Sequence, residues 1–254
     1  MATEPKGGRD PQYLLDLLWR THRPGRRGPR GSLTLDQIVA AAIEVAREVG
    51  IAGLSMRKVA ERLGVTTMSL YRYVPSKDDL LDLMFESVTG QPDADDWPTT
   101  WREGLAAYAL AMRELMLADD WLLDIPIGGP PMGPNNLAWM EAALSCMQDS
   151  GLTEDEKLGV LMVVSGFALN EVRQEVSLKR AAPRTGVAYQ EWGAAYQRML
   201  GRVIDDPRYP ALARLVRSGV FDDDRSTPEQ DFLWGLSFIL DGVAATLAAR
   251  AAAG

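Results

Sequence analysis

Residues 55–74 read SMRKVAERLGVTTMSLYRYV, and the spacing within this stretch decides the fold. Met56, Val59, Ala60 and Leu63 recur at helical spacing behind Ser55, whose hydroxyl suits an N-cap, so a helix is expected over 56–63. Gly64 supplies the left-handed residue that ends it. Thr66 caps a second short helix, 67–73, and Pro75 closes it. Two short helices about a three-residue turn, Gly64-Val65-Thr66, make a helix-turn-helix. The second helix has Leu70 and Val74 as inward anchors, while Thr67, Met68, Ser69, Tyr71, Arg72 and Tyr73 form its other face. Hydroxyls and tyrosine bond phosphates or base edges, and arginine can bond guanine in bidentate fashion, so this face suits a major groove. Ser55, Arg57 and Lys58 at the first helix's N-terminus, Thr66 at the second's and Lys77 just beyond are expected to join it on DNA. The plain alternative is a helical hairpin with a solvated polar face.

Working outward, Ile38, Ala42, Val45 and Val49, with Val39, Ile43 and Ala46 beside them, predict a helix over 36–49, opened by Thr34 and stopped by Gly50. Ser76 and Asp79 form a capping box for a helix over 77–88. TGQPDADDWP, residues 89–98, reads as a domain boundary. Further helices are expected over 100–118, 136–149, 154–179, 187–203, 208–217 and 228–250, with a turn at 120–123 and loops at IPIGGPPMGP (125–134) and AAPRTG (181–186). No stretch shows convincing period-two alternation, so the fold class is all-α. Ahead of the helix-turn-helix, Tyr13, Leu14, Leu17 and Leu18 could face one side of a short helix, and RPGRRGPRG, residues 23–31, reads as a basic arm.

The formal net charge is −8, which taken whole argues against nucleic acid. Charge is instead segregated: residues 20–77 sum to +7 and the remainder to −15. A basic N-terminal third on an acidic body is the footprint of a module that touches phosphate. Arg26, Arg27 and Arg30 of the arm are candidates to enter the minor groove or lie along phosphates; a solvated tail is the competing reading.

The composition also excludes several function classes. One cysteine, Cys146, allows no internal disulfide, and with one histidine, His22, there is no Cys/His zinc cluster. A nucleophilic triad would have to use His22, which lies in the arm. No phosphate-binding glycine loop is present, so neither an enzyme, a cofactor nor a metal is expected. No apolar run comes near the roughly 18–20 residues of a membrane span, and MATEPKGGRD lacks a secretory apolar stretch, so no membrane partner and a cytoplasmic location are expected.

Residues 36–84 resemble the DNA-binding domain of the TetR (tetracycline-repressor-like) family. The resemblance rests on the helix Ile38 to Val49 and on GIAGLSMRKVAERLGVTTMSLYRYVPSKDDLLDLM, residues 50–84. Ser55, Val59, Ala60, Leu63, Gly64, Val65, Leu70, Tyr71, Tyr73, Val74, Lys77 and Leu80 match the family pattern. Residues 1–33 read as a basic extension beyond a minimal family member, and the resemblance implies a helix-turn-helix domain at 34–88 and a larger helical ligand-binding and dimerisation domain at 97–254. It further implies a homodimer that places two recognition helices in successive major grooves of a palindromic double-stranded operator. A small-molecule effector entering the C-terminal domain would move the helix over 77–88 and release DNA. An activator or architectural protein without an effector is the alternative reading.

Effector candidates are Trp101, Tyr108, Met112, Met116, Trp139, Met140, Met147, Phe167 and Asn170, with Glu171 and Gln174 as polar groups. Aromatic and methionine walls suit a large, mostly apolar molecule; each residue alone is as readily core. Tetracycline repressors hold a magnesium–drug complex through histidine, and the only histidine here is in the arm, so that ligand is not expected. The apolar helix over 154–179 and the last helix, with Gly235, Ser237, Gly242 and Ala244 among its leucines, are expected to build the dimer interface; burial within one subunit is the competing explanation.

Overall fold

The computed structural model describes residues 11–21, 33–126, 128–221 and 227–253. These are helical throughout, with no strand among them. In order come α1 (Pro11–Leu18), α2 (Leu35–Gly53), α3 (Met56–Leu63), α4 (Thr67–Tyr71), α5 (Lys77–Thr89), α6 (Trp101–Ala118), a 3-10 turn (Asp120–Asp124), α7 (Pro134–Cys146), α8 (Glu154–Thr185), α9 (Trp192–Leu200), α10 (Pro210–Arg217) and α11 (Pro228–Ala253). The chain divides into two compact units, residues 1–150 and 151–254. The arm residues Arg26, Arg27 and Arg30 lie outside the described residues.

The first unit is organised around one apolar core. Ile38, Val39, Ala42 and Val45 of α2, Val59 of α3, Leu70 and Val74 about α4, and Leu80, Leu83 and Met84 of α5 are almost fully buried in it. Gly50 breaks α2 with φ 69°, and the chain then makes one further turn that buries Ile51 and Leu54. Val49, expected to face inward, is 44% exposed because that break turns the helix end away from the core. Two additions to the core come from outside the helix-turn-helix. Leu17 and Leu18 of α1 are buried in it, as are Trp121 and Leu122 of the 3-10 turn. Tyr13 of α1 sits close enough to α5 that its own burial, and then the Asp79 carboxylate, push its phenol up.

An ion pair fixes α2 to the corner after α6. Arg47 Nε and Nη2 donate to the two Asp119 oxygens at 2.6 and 2.7 Å, and the Trp121 indole adds a third bond at 2.8 Å. Arg47 therefore holds the Asp119 carboxyl below its ordinary value of 3.8, against the opposing effect of burial. A carboxyl depressed in the folded state contributes stability that is present above its unfolded value and is lost as pH falls through the folded one. Arg47→Met should destabilise the protein by about 1–2 kcal/mol at neutral pH, less than a fully buried pair because the guanidinium is half in water. Urea melts should show that difference shrinking at pH 3; a difference that stays constant would remove the pair from the account.

The second unit is built on α8 and α11. Phe167 packs on Phe232 at 5.2 Å, while Arg250 donates to Gly151 O at 3.0 Å and to Glu156 at 2.5 Å, so the two helices run antiparallel. Arg250 first, and the Thr153 N–H next, hold the Glu156 carboxyl down to about 2. Three expectations fail in this unit. AAPRTG is not a loop: α8 continues through Pro183 to Thr185 and stops at Gly186, whose φ of 69° is the real terminator. The helix expected over 187–203 is a 3-10 turn, Tyr189–Glu191, followed by the shorter α9. And α11 contains the long apolar stretch that was not expected: over Pro228–Ala252 it is, by length and composition only, apolar enough to cross a membrane, with mean hydropathy 1.7 in its most apolar stretch. Glycines, serine and Asp241 interrupt the run without making the helix polar, so no unbroken apolar stretch marks it in the sequence.

Candidate nucleic-acid interface

The helix-turn-helix is set by its caps. Ser55 Oγ accepts from Lys58 N at 3.3 Å, opening α3. Gly64, at φ 66° and ψ 30°, turns the chain, and its N–H closes α3 onto Ala60 and Glu61 carbonyls. Thr66 Oγ1 accepts from Ser69 N at 3.3 Å and lies 3.0 Å from Ser69 Oγ, opening α4. Both hydroxyls are thus engaged in forming the helix that carries the interface. Leu70 and Val74, completely buried, hold α4 against the core. α4 ends at Tyr71, two residues before the expected end, and Arg72 caps it.

What α4 shows to solvent is Met68, 71% exposed, Tyr71, 44% exposed, and Arg72, with Thr67 half-buried beside them. Tyr73 departs from the expected outer face: it is half-buried and leans on the core. The cations sort themselves by partner. Arg57 bonds Glu61 at 2.7 Å one turn on. Arg62 bonds Glu44 at 3.1 Å and also Glu48, tying α3 to α2. Lys77 donates to the Ile51 carbonyl at 3.2 Å, tying the start of α5 to the end of α2. Lys58 and Arg72 stand exposed, paired with no carboxylate among the described residues.

The expected effector residues fall in both units. In the first, Tyr108 is buried and meets Trp97 edge-on at 6.2 Å and Trp139 at 6.1 Å; Trp97 and Trp139 lie 6.2 Å apart, closing a triangle of rings. Trp97, which joins this ring cluster, lies in the polar stretch 89–98 that the sequence marks as a boundary, where only the Trp-Pro step stands out. The Trp139 indole donates to the carbonyls of Thr89 and Gly90 at 3.2 and 3.1 Å, at the C-terminal end of α5. Trp101, Met112 and Met140 are half-buried, and Met116 and Met147 are buried. In the second unit Phe167 packs on Phe232, Glu171 is half-buried, and Asn170 and Gln174 are exposed. None of these lines the groove of about 370 Å³ between α8 and α11, whose walls include Val160, Val163, Ile239 and Val243.

Comparison with known proteins agrees with this arrangement. The family described as "Bacterial regulatory proteins, tetR family" matches residues 38–84, and "Tetracyclin repressor-like, C-terminal domain" matches 91–247. The HTH-type transcriptional repressor DrrR1 of Streptomyces coeruleorubidus is 38% identical over 98% of this chain and 91% of its own. The tetracycline repressor protein class A from transposon 1721 of Escherichia coli is 30% identical over 82% of this chain and 88% of its own. Among solved structures, ActR of Streptomyces coelicolor in complex with actinorhodin superposes with a TM-score of 0.71 at 26% identity, covering 85% of this chain and 97% of that one. A capped helix-turn-helix whose second helix bares Met68, Tyr71 and Arg72, matched by the first family description and followed by the region that the second matches, leaves one conclusion: the chain belongs to the TetR family of DNA-binding transcriptional regulators.

Proposed function

We propose that the protein is a homodimeric, cytoplasmic repressor, without catalytic activity of its own, that leaves a palindromic operator when a mostly apolar small molecule binds its body. The observation that carries this reading is the Trp139 indole. It belongs to the ring triangle with Trp97 and Tyr108, and its N–H is bonded to the end of α5, the helix packed on α2 of the head. A molecule wedged among those rings would have to move Trp139 and, with it, the end of α5. For release, it must bind the operator-incompetent setting better than the competent one. ActR, whose structure contains actinorhodin, offers a probe. DNA selected from a random pool by the purified protein should be released by actinorhodin or by a member of a panel of apolar aromatic compounds, with quenching of tryptophan fluorescence. Release that Trp139→Phe leaves unaltered would count against this route.

The dimer we infer uses α8 and α11. Leu158, Met162 and Val163 of α8 and Trp234 and Phe238 of α11 are exposed apolar side chains flanking or near an apolar groove. A second copy of the same pair covers such a surface and accounts for the apolarity of α11 without a membrane.

The arm is tested by charge, not by deletion. Removing residues 1–30 would also take Leu17 and Leu18 out of the core. Arg26, Arg27 and Arg30 changed together to glutamine should lower the salt dependence of operator binding by roughly two to three phosphate contacts, about 0.9 in log–log slope for each. An unchanged slope would mean the arm does not touch DNA.

A further inference from the structure

Helix α5 packs on α2 of the head and also on α7. α7 opens with Gly133 and Pro134, and its N-cap residue supplies no side-chain acceptor. The first amides of a helix need partners from elsewhere in that case. Glu86 of α5 provides them. Its Oε1 accepts from Asn135 N at 2.5 Å, and its Oε2 accepts from Asn136 N at 3.2 Å and from the Asn136 side-chain amide at 2.5 Å. The Glu86 backbone carbonyl accepts from Asn135 Nδ2 at 2.8 Å. The residue is 5% exposed, and a Cβ at position 133 would overlap its carboxylate, so glycine there makes the close approach possible.

A second set of contacts reaches the same place. α1 packs on α5, with Leu17 and Leu18 in the core. Just past α1, Trp19 donates its indole N–H to the Met132 carbonyl at 2.8 Å, one residue before Gly133. The contacts close a ring: α5 to α1, Trp19 to Met132, the start of α7 to Glu86, and so back to α5. The segment that the family match at 38–84 leaves out is therefore one side of this ring.

We propose that the ring is a latch, in which Glu86 and Trp19 are positioning residues that hold α5, and the head packed on it, at one setting relative to α7. The proposal rests on the dimeric reading above. A palindrome is bound only when both heads stand at one spacing, so a head that samples several settings binds it with affinity reduced by the competent fraction. An isolated half-site makes no demand on spacing. The latch therefore acts on the palindrome alone, which separates it from simple damage to the head.

The test uses the full chain and DNA selected by the wild type. Glu86→Gln keeps the side-chain volume but turns an amide group, itself a donor, toward the α7 donors. Trp19→Phe, at a position 47% exposed, removes the indole donor with little risk to folding. Both variants should show faster hydrogen exchange in the first turn of α7 and along α5. Both should bind the palindrome roughly five- to tenfold more weakly while binding the half-site as the wild type does. The double variant should lose little more than either single one, because both break one ring. Unchanged exchange in α7, or equal losses on palindrome and half-site, overturns the latch. A wild type that does not prefer the palindrome overturns the dimeric reading instead; the exchange measurements then decide the latch alone.

Discussion

Replacing Met162 and Phe238 together by glutamate is expected to give a folded monomer that binds the palindromic operator at least about 100-fold more weakly than the wild type. The two side chains are 66% and 60% exposed in the single chain, so charge at either position costs its fold little. In the inferred dimer the same positions are covered, and an unpaired carboxylate buried against an apolar helix costs several kcal/mol. The cost arises on both subunits, because a twofold interface repeats each substitution. The effect on DNA follows from linkage: two heads joined in one particle bind with an effective local concentration, and separating them forfeits a factor of roughly 10² to 10⁴ without touching any DNA contact. Sedimentation should show the monomer, thermal melting should show the fold intact, and half-site binding should persist. A double variant that remains dimeric and keeps full operator affinity would place the interface elsewhere.

The same substitution speaks to the apolarity of α11. Phe232, Leu236 and Leu240 make its inward stripe, packed in the second unit, while Trp234 and Phe238 face out. A helix with apolar residues on both aspects needs cover on both. Antiparallel pairing with α8 covers one; Gly159 on α8 and Gly242 on α11 keep the groove between them shallow-walled and open to close approach by a partner helix.

The helix-turn-helix was legible because each boundary carries a local chemical signal. Ser55, Gly64, Thr66 and Ser76 act through bonds within three or four residues, and the structure has each of them where the spacing puts it. The second unit was less legible for the same reason turned around. Pro183 looks like a terminator, but the helix end is decided by Gly186 three residues on, and proline in the last turn forgoes only one bond. Within the candidate interface, the sequence placed the helix but not the partners of its charges. Arg57, Arg62 and Lys77 count as positive in any tally, yet Glu61, Glu44 and Glu48, and the Ile51 carbonyl engage them. Glu86 and Trp97 were invisible because their roles depend on Asn135, Asn136 and Tyr108, tens of residues or a helix away.

That sorting of charges makes the sharpest prediction about DNA. Arg72 is exposed at the end of α4 beside Met68 and Tyr71, with no carboxylate partner among the described residues, so its guanidinium is available for a base edge. Arg72→Ala should weaken binding to the selected operator by about 1–3 kcal/mol, a factor of roughly 5 to 150, and relax the preference at one base-pair position while leaving others intact. Lys58, exposed near the start of α3, has the placement of a phosphate contact. Lys58→Ala should weaken all DNA sequences alike and lower the salt slope by about 1. Arg57→Ala, by contrast, removes a cation already bonded to Glu61 and should change binding least of the three. The measurement is a binding series on the selected operator and its single-base variants across salt concentrations. Arg72 and Lys58 behaving alike, both sequence-blind, would mean that α4 lies along the backbone and that another element reads the bases. Arg72 alone changing the sequence preference would put its guanidinium in the major groove, on a helix that the buried Leu70 and Val74 hold against the core.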